Sequence, residues 1–180
     1  MLKKDYIKDA LNTFGDEVVE DARKRLTQTK SNFSKDLYNS ISHESVKVSN
    51  AGNIVSVTFM MEDYGDYQDQ GVRGIGGVRK TTSKFKSTNN RGKLWKQKVK
   101  KGETPFSFKK DKPIPAIVFE EWAKAKGLNP FAVAISVWHQ GLSAKKFFTN
   151  AFNEAFERLP DDLVEAFDLE IDSFTEFTKQ

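Results

Sequence analysis

Residues 46–61 read VKVSNAGNIVSVTFMM, and this stretch decides the fold class. Val46 and Val48 alternate with polar neighbours, Ser49-Asn50-Ala51-Gly52-Asn53 is a run of turn formers, and Ile54, Val55, Val57, Phe59 and Met61 follow it. β-branched residues at a period of two on both sides of such a turn predict an antiparallel hairpin, with strands near 40–49 and 54–61.

Upstream the period changes. Leu2, Tyr6, Ile7, Ala10, Leu11, Phe14, Val18, Val19, Ala22 and Leu26 recur in steps of three and four, which is one apolar stripe of a helix. Lys3, Asp5, Asp9, Asp16, Glu20 and Arg23 take the opposite face, and Gly15 costs that helix about 1 kcal/mol relative to Ala. The polar stretch from Thr27 to Lys35 reads as a loop.

Downstream, Glu62 to Gly71 mixes polar and aromatic residues and reads as a loop closing in a short helical turn. Residues 72–112 carry glycines at 74, 76 and 77 and then a Lys-rich stretch with Phe85, Trp95, Phe106 and Phe108 thinly spread through it. So few apolar groups predict a loop or hairpin that projects and is ordered only by a neighbour. Pro113 and Pro115 stop regular structure. Beyond them come a short amphipathic helix with Ile117, Val118, Trp122 and Ala123 ended by Gly127, and a helix opened by Asn129-Pro130 and ended at Gly141. A third runs from about Ser143 through Phe147, Phe148, Ala151, Phe152, Ala155, Phe156 and Leu159, and an acidic fourth restarts at Pro160. The expected fold is α+β: an N-terminal helix, a small antiparallel sheet with a long projecting basic loop, and C-terminal helices. Residues 1–153 form the domain with its insertion at 72–112, and 154–180 form an acidic helical extension.

The chain of 180 residues is 38% hydrophobic with fifteen Phe, enough to build a core and to exclude wholesale disorder. No apolar run approaches the roughly 18 residues that span a bilayer. The start MLKKDYIKDA lacks the apolar stretch of a signal peptide, so synthesis in a cytoplasm without membrane insertion is expected. Zero Cys excludes disulfides, thiolate metal sites and cysteine nucleophiles. The net charge of +4 hides an asymmetry: residues 73–112 hold fourteen Lys and Arg against two acids, +12, and residues 154–180 hold nine acids against Arg158 and Lys179, −7. Such segregation favours an anionic partner for the basic stretch or head-to-tail pairing of copies.

Familiar chemical motifs do not assemble. Gly74 and Gly76 are followed by Arg79 where a dinucleotide fingerprint needs Gly or Ala, and Gly77 stands where a phosphate loop needs Lys. Asp63, Asp66 and Asp69 recur every third residue, whereas a calcium loop needs every second. His43 and His139 read as satisfied or surface imidazoles, and Glu120 and Glu121 point about 100° apart on a helix. Neither a metal site, a cofactor nor a catalytic constellation is expected. The basic stretch offers phosphate contacts instead. Its candidates are Arg73, Arg79, Lys80, Lys84, Lys86, Arg91, Lys93, Trp95, Lys96, Lys98 and Lys100, where Lys dominates, as suits non-specific backbone contact or docking on an acidic protein surface.

Leu37, Ser40 and Ile41 entering the hairpin, the segment Tyr64 to Gly71, and Gly141, Phe147 and Ala151 at the last helix together resemble the tail-completion proteins of tailed bacteriophages, also called head-tail joining, neck or minor tail proteins. In that family a stretch of the form (T)G-x-L-x-x-S-I leads into the strand pair, a Y-x-x-x-x-x-G segment follows, matched loosely here with one residue more between Tyr64 and Gly71, and G-x-x-x-x-x-F-x-x-x-A opens the last helix. The likeness covers most of the chain outside 72–112 and the acidic end. The family's Gly ahead of the strand pair is absent here, and the segment after Gly71 is far longer than the family's loop. The resemblance implies a non-enzymatic virion protein, made in the bacterial cytoplasm. It would assemble as a ring, commonly of six and alternatively of twelve, in the phage neck. Its partners would be identical subunits, portal, connector or tail-tube proteins, and the DNA in the lumen. Tyr64, Tyr67 and Gly71 would then form the root of the loop, with Arg73 to Lys112 reaching a neighbour or DNA. The rival expectations are a nucleic-acid-binding protein acting alone through 73–112, and a small hydrolase using Glu120, Glu121 or His139.

Overall fold

The computed structural model describes residues 4–29, 33–44, 47–48, 55–78, 94–161 and 163–164. In chain order its elements are α1 (Lys4–Gln28), α2 (Asp36–Ser40), β1 (Ser42–His43), β2 (Lys47–Val48), β3 (Val55–Ser56), β4 (Phe59–Met60), α3 (Tyr64–Gln70), β5 (Val72–Arg73), β6 (Gly77–Val78), β7 (Leu94–Trp95), a 3-10 turn (Ala116–Phe119), α4 (Glu120–Ala125), α5 (Pro130–Gln140), β8 (Gly141–Leu142) and α6 (Phe147–Phe156). The fold is α+β and mostly helical, with antiparallel two-stranded pairs β1–β4, β2–β3, β5–β8 and β6–β7. It divides into two compact units, residues 1–63 with 146–180, and residues 64–145.

In the first unit the stripe read from the sequence is the buried face of α1: Ile7, Leu11, Phe14, Val18, Val19, Ala22 and Leu26 all lie in the core. They meet α6, whose Phe147, Phe148, Ala151, Ala155 and Phe156 are buried at steps of three and four. The two stripes lie against each other because a helix presents such a row along one side only. The hairpin closes the third side. Ser42 pairs Met60, His43 pairs Phe59, Lys47 pairs Ser56 and Val48 pairs Val55, within the expected strands. Phe59 brings its ring edge to face against Phe148 at 5.4 Å, and Phe152 stands likewise against Phe14 at 5.4 Å, an arrangement aromatic quadrupoles favour. Gly15 has a tertiary reason: a Cβ there would lie 2.6 Å from the His43 ring, so the helix accepts glycine to let the strand approach.

Arg23 ties the polar side of α1 to α2. Its guanidinium donates to the carbonyls of Tyr38 at 3.0 Å and Ile41 at 2.8 Å and covers the Tyr38 ring at 5.4 Å. Two half-buried charge-assisted bonds make Arg23→Ala an expected loss of about 1.5–3 kcal/mol in urea unfolding, because both carbonyls lose their donor. Arg158, after α6, reaches back to Glu17 at 3.0 Å and Asp21 at 3.5 Å on α1. Its hydrogen bond to Glu17 leads the causes that raise its pKa above the ordinary arginine value, and its exposure keeps the stabilisation small. A boundary between 153 and 154 falls inside α6, and Leu163 beyond it is fully buried. Residues 165–180, and with them most of the acidic extension, lie outside the described residues.

The second unit is organised by β5. On one edge Val72 pairs Leu142 and Arg73 pairs Gly141; on the other, Arg73 accepts a bond from Phe108 N and donates to Phe106 O, both at 3.0 Å. Of the loop or hairpin expected over 72–112, the antiparallel β6–β7 pair bears out the hairpin, and the correction is that its described flanks do not project. Residues 72–78 and 94–112 are held by the β6–β7 pair, by Lys98 N donating to Gln140 O and by the Thr104 hydroxyl donating to Gly71 O at 2.8 Å. Val99 and Thr104 are buried there. The backbone supplies what the apolar content lacks, since a ladder satisfies its own donors whatever side chains it carries. Residues 79–93 lie outside the described residues.

The helices follow their signals. Gly127 ends the α4 region at φ 63° and Pro130 takes the first turn of α5. The Asn129 side chain accepts from Phe131 N at 2.8 Å and Ala132 N at 3.3 Å. Asn129→Ala is expected to destabilise the protein by about 1 kcal/mol in thermal or urea unfolding, since two amides lose their acceptor. A helix expected from about Ser143 starts instead at Phe147, because Lys146 just before it lies in the left-handed region at φ 52°, which a right-handed helix cannot include.

Candidate interaction surface

A groove of about 670 Å3 opens on the second unit. One wall is α3, presenting Tyr64 and Tyr67; the floor is Val72, Val137 and Leu142; the other walls are Pro105 to Lys109 and Lys112 to Phe119. Each wall is anchored. The Tyr67 and Phe106 rings stand edge to face at 4.6 Å, Phe106 and Phe108 are fixed by their bonds to Arg73, and Lys109 O accepts from the Trp138 indole at 2.9 Å. Lys145 N, bonded to the carbonyls of Gln68 and Asp69, holds the end of α3. The lining is apolar and aromatic, with Lys109 and Lys112 as its cations.

Gly71 at the foot of α3 has φ 75°, and a Cβ there would lie 2.6 Å from Ala144 N, so the turn from α3 into β5 requires glycine. Of the residues expected at a loop root, Gly71 turns the chain while Tyr64 and Tyr67 stand exposed on the groove wall. Among the expected contact residues, Arg73 is half-buried in β5, and Lys96, Lys98 and Lys100 are exposed. Trp95 faces inward and stacks on His139, with ring centroids 5.5 Å apart and planes at 15°. One of its ring faces is thereby occupied within the unit. Arg79, Lys80, Lys84, Lys86, Arg91 and Lys93 lie outside the described residues.

Both imidazoles are hydrogen-bonded. His139 Nδ1 bonds Gly76 O at 2.8 Å while Gly76 N donates to His139 O at 2.9 Å, a two-way clasp between α5 and the approach to β6. His43 lies 3.0 Å from Asp16 through Nε2 and 3.1 Å from Glu44 O through Nδ1. Among the described residues no three His, Asp or Glu group as a metal site, and no helix is long and apolar enough to cross a membrane.

The feature missed from the sequence is a set of large apolar side chains left exposed on the turn and helices that follow the groove. Ile117 is 75% exposed, Val118 65% and Phe131 67%, with Trp122 and Leu128 also exposed. The helical spacing of these residues suggested burial, but within this unit only Ala123 and Ala134 of the two helices are buried. The available signal was α5 itself: PFAVAISVW is apolar almost all round, more than one face of a small unit can cover. No protein-family model, curated protein or solved structure matches the chain.

Proposed function

We propose that this chain is a structural subunit of the phage neck, of the tail-completion or head-tail joining kind, which works by building into a ring and not by catalysis. The observation that carries the reading is the exposure of Ile117, Val118 and Phe131, three large apolar side chains left mostly in solvent within the described residues. Apolar surface of this kind marks an interface between proteins. Val118 also lines the aromatic groove, which adds its apolar walls to the surface open to a neighbouring subunit.

The residues that carry the family resemblance support the reading by their placement. Leu37 and Ile41 are buried where α2 passes into β1, and the Ser40 hydroxyl accepts from Glu62 N at 3.1 Å, joining the two strands' outer ends. Tyr64 to Gly71 form α3 and its stop, Gly141 opens β8, and Phe147 and Ala151 are fully buried on α6. The test is sedimentation velocity and native mass spectrometry of the purified protein, with proteomics of purified particles. A ring of six or twelve copies and recovery in virions are expected. A chain that stays monomeric at every concentration and is missing from particles overturns the proposal.

A second reading is favoured by the exposed Lys96, Lys98, Lys100 and Lys101, which crowd positive charge on one described stretch. Under it, the monomer binds duplex DNA with an affinity that falls steeply with salt and without sequence preference. Replacing Lys96, Lys98, Lys100 and Lys101 together by Glu would abolish that binding and leave assembly intact.

A further inference from the structure

The groove asks for an occupant with two properties. Its walls of Tyr67, Phe106, Phe108, Ile114 and Val118 call for apolar side chains, and the exposed Lys109 and Lys112 call for negative charge beside them. Both Tyr67, 44% exposed, and Val118 remain open to solvent within the described residues. The chain itself carries a segment with both properties. Residues 165–180 read EAFDLEIDSFTEFTKQ, with Phe167, Leu169, Ile171, Phe174 and Phe177 interleaved among five acids and opposed by Lys179 alone. The segment follows Leu163, which is completely buried in the first unit's core, so its root is fixed while sixteen residues lie beyond the described chain.

We infer that the groove receives residues 165–180 of a second copy of the chain. The inference rests on the ring-forming reading and supplies its contact: a tail given by each subunit and a groove that takes the neighbour's tail are unlike surfaces, so the contact repeats around a closed ring. A volume of about 670 Å3 takes a few side chains and not a whole segment. Two or three aromatic anchors therefore enter, and the intervening carboxylates lie over Lys109 and Lys112. Anchors buried at the centre supply most of the affinity, while the charges choose orientation and register. The five acids of residues 165–180 and the groove's Lys109 and Lys112 then belong to one interface, divided between two subunits.

The test uses full-length protein. Isotopically heavy and light chains, each with a photoreactive benzophenone amino acid in place of Phe167, are assembled together, irradiated and digested. Cross-links from the tail to residues 64–72 or 105–119 in heavy–light pairs are expected. Cross-links confined to single chains, or reaching another surface of the neighbour, overturn the inference. In parallel, Lys109→Glu with Lys112→Glu is expected to weaken self-association about tenfold or more, with recovery when Asp168→Lys and Glu170→Lys are added. Unchanged association, or absence of recovery, counts against the groove. The two readings fail separately: assembly retained with cross-links elsewhere sinks this inference alone, whereas heavy–light groove cross-links in a protein missing from virions sink the phage reading and leave the groove contact standing.

Discussion

Phe147→Ala is expected to lower the stability of the first unit by about 3–5 kcal/mol, measured as a shift of the urea midpoint at unchanged slope. Phe147 is fully buried and is the largest such side chain among the described residues. It lies in the cluster that joins α1, α6 and the hairpin, where its loss leaves a cavity bounded by helices that cannot close on it without moving. A loss of that size is a large part of the roughly 5–15 kcal/mol that holds a typical domain together. The matching control is Phe131→Ala. Phe131 is 67% exposed, so its truncation should change unfolding by no more than about 0.5 kcal/mol while weakening assembly. Equal stability losses at the two positions would contradict the placement of the core.

Gly141→Ala is expected to cost about 3 kcal/mol or more and to release the second unit first, seen as loss of hydrogen-exchange protection at Val72, Arg73 and Phe108. Two effects add. Gly141 sits at φ 85°, where an L side chain is strained, and a Cβ there would run into Val72 O and come within 2.5 Å of Gly74 N. Those are backbone atoms of the strand that Gly141 pairs with, so relief requires opening the β5–β8 ladder. Gly77 separates the two effects. It has φ 105° and open space around its missing Cβ, so Gly77→Ala should cost only about 1 kcal/mol for the dihedral. If both substitutions cost the same, steric closeness at Gly141 is not what holds that turn.

Much of the first unit was legible because its signals are local and periodic. The stripe of α1, the turn-centred alternation that makes β1 to β4, and the row of Phe147, Phe148, Ala151 and Ala155 each declare which side faces inward. The caps of the second unit were equally readable at Asn129, Pro130 and Gly127. The strands β5 and β8 were not. Each has two residues, too few to show a period, and β5 exists through backbone bonds to Leu142, Phe106 and Phe108 far along the chain. The same ladder is why residues 94–112, poor in apolar groups, are held in place. The groove was hidden for a related reason: Tyr64, Phe106, Ile114 and Val118 are scattered in sequence and meet only through that ladder.

From the sequence alone came the α+β class, the inward faces of the long helix and the last helix, the lack of cysteine chemistry and the opposed charges of 73–112 and 154–180. These depend on composition and on spacings within a few turns of chain, which the polypeptide carries whether folded or not. Tertiary structure alone decided that Trp95 stacks inward on His139, that Gly15 makes room for His43, and that Ile117, Val118 and Phe131 face outward. An apolar residue states its preference for burial without naming what will cover it. That choice is made only when distant segments compete for the same surface, and here the described chain covers Phe147 and leaves Phe131 open.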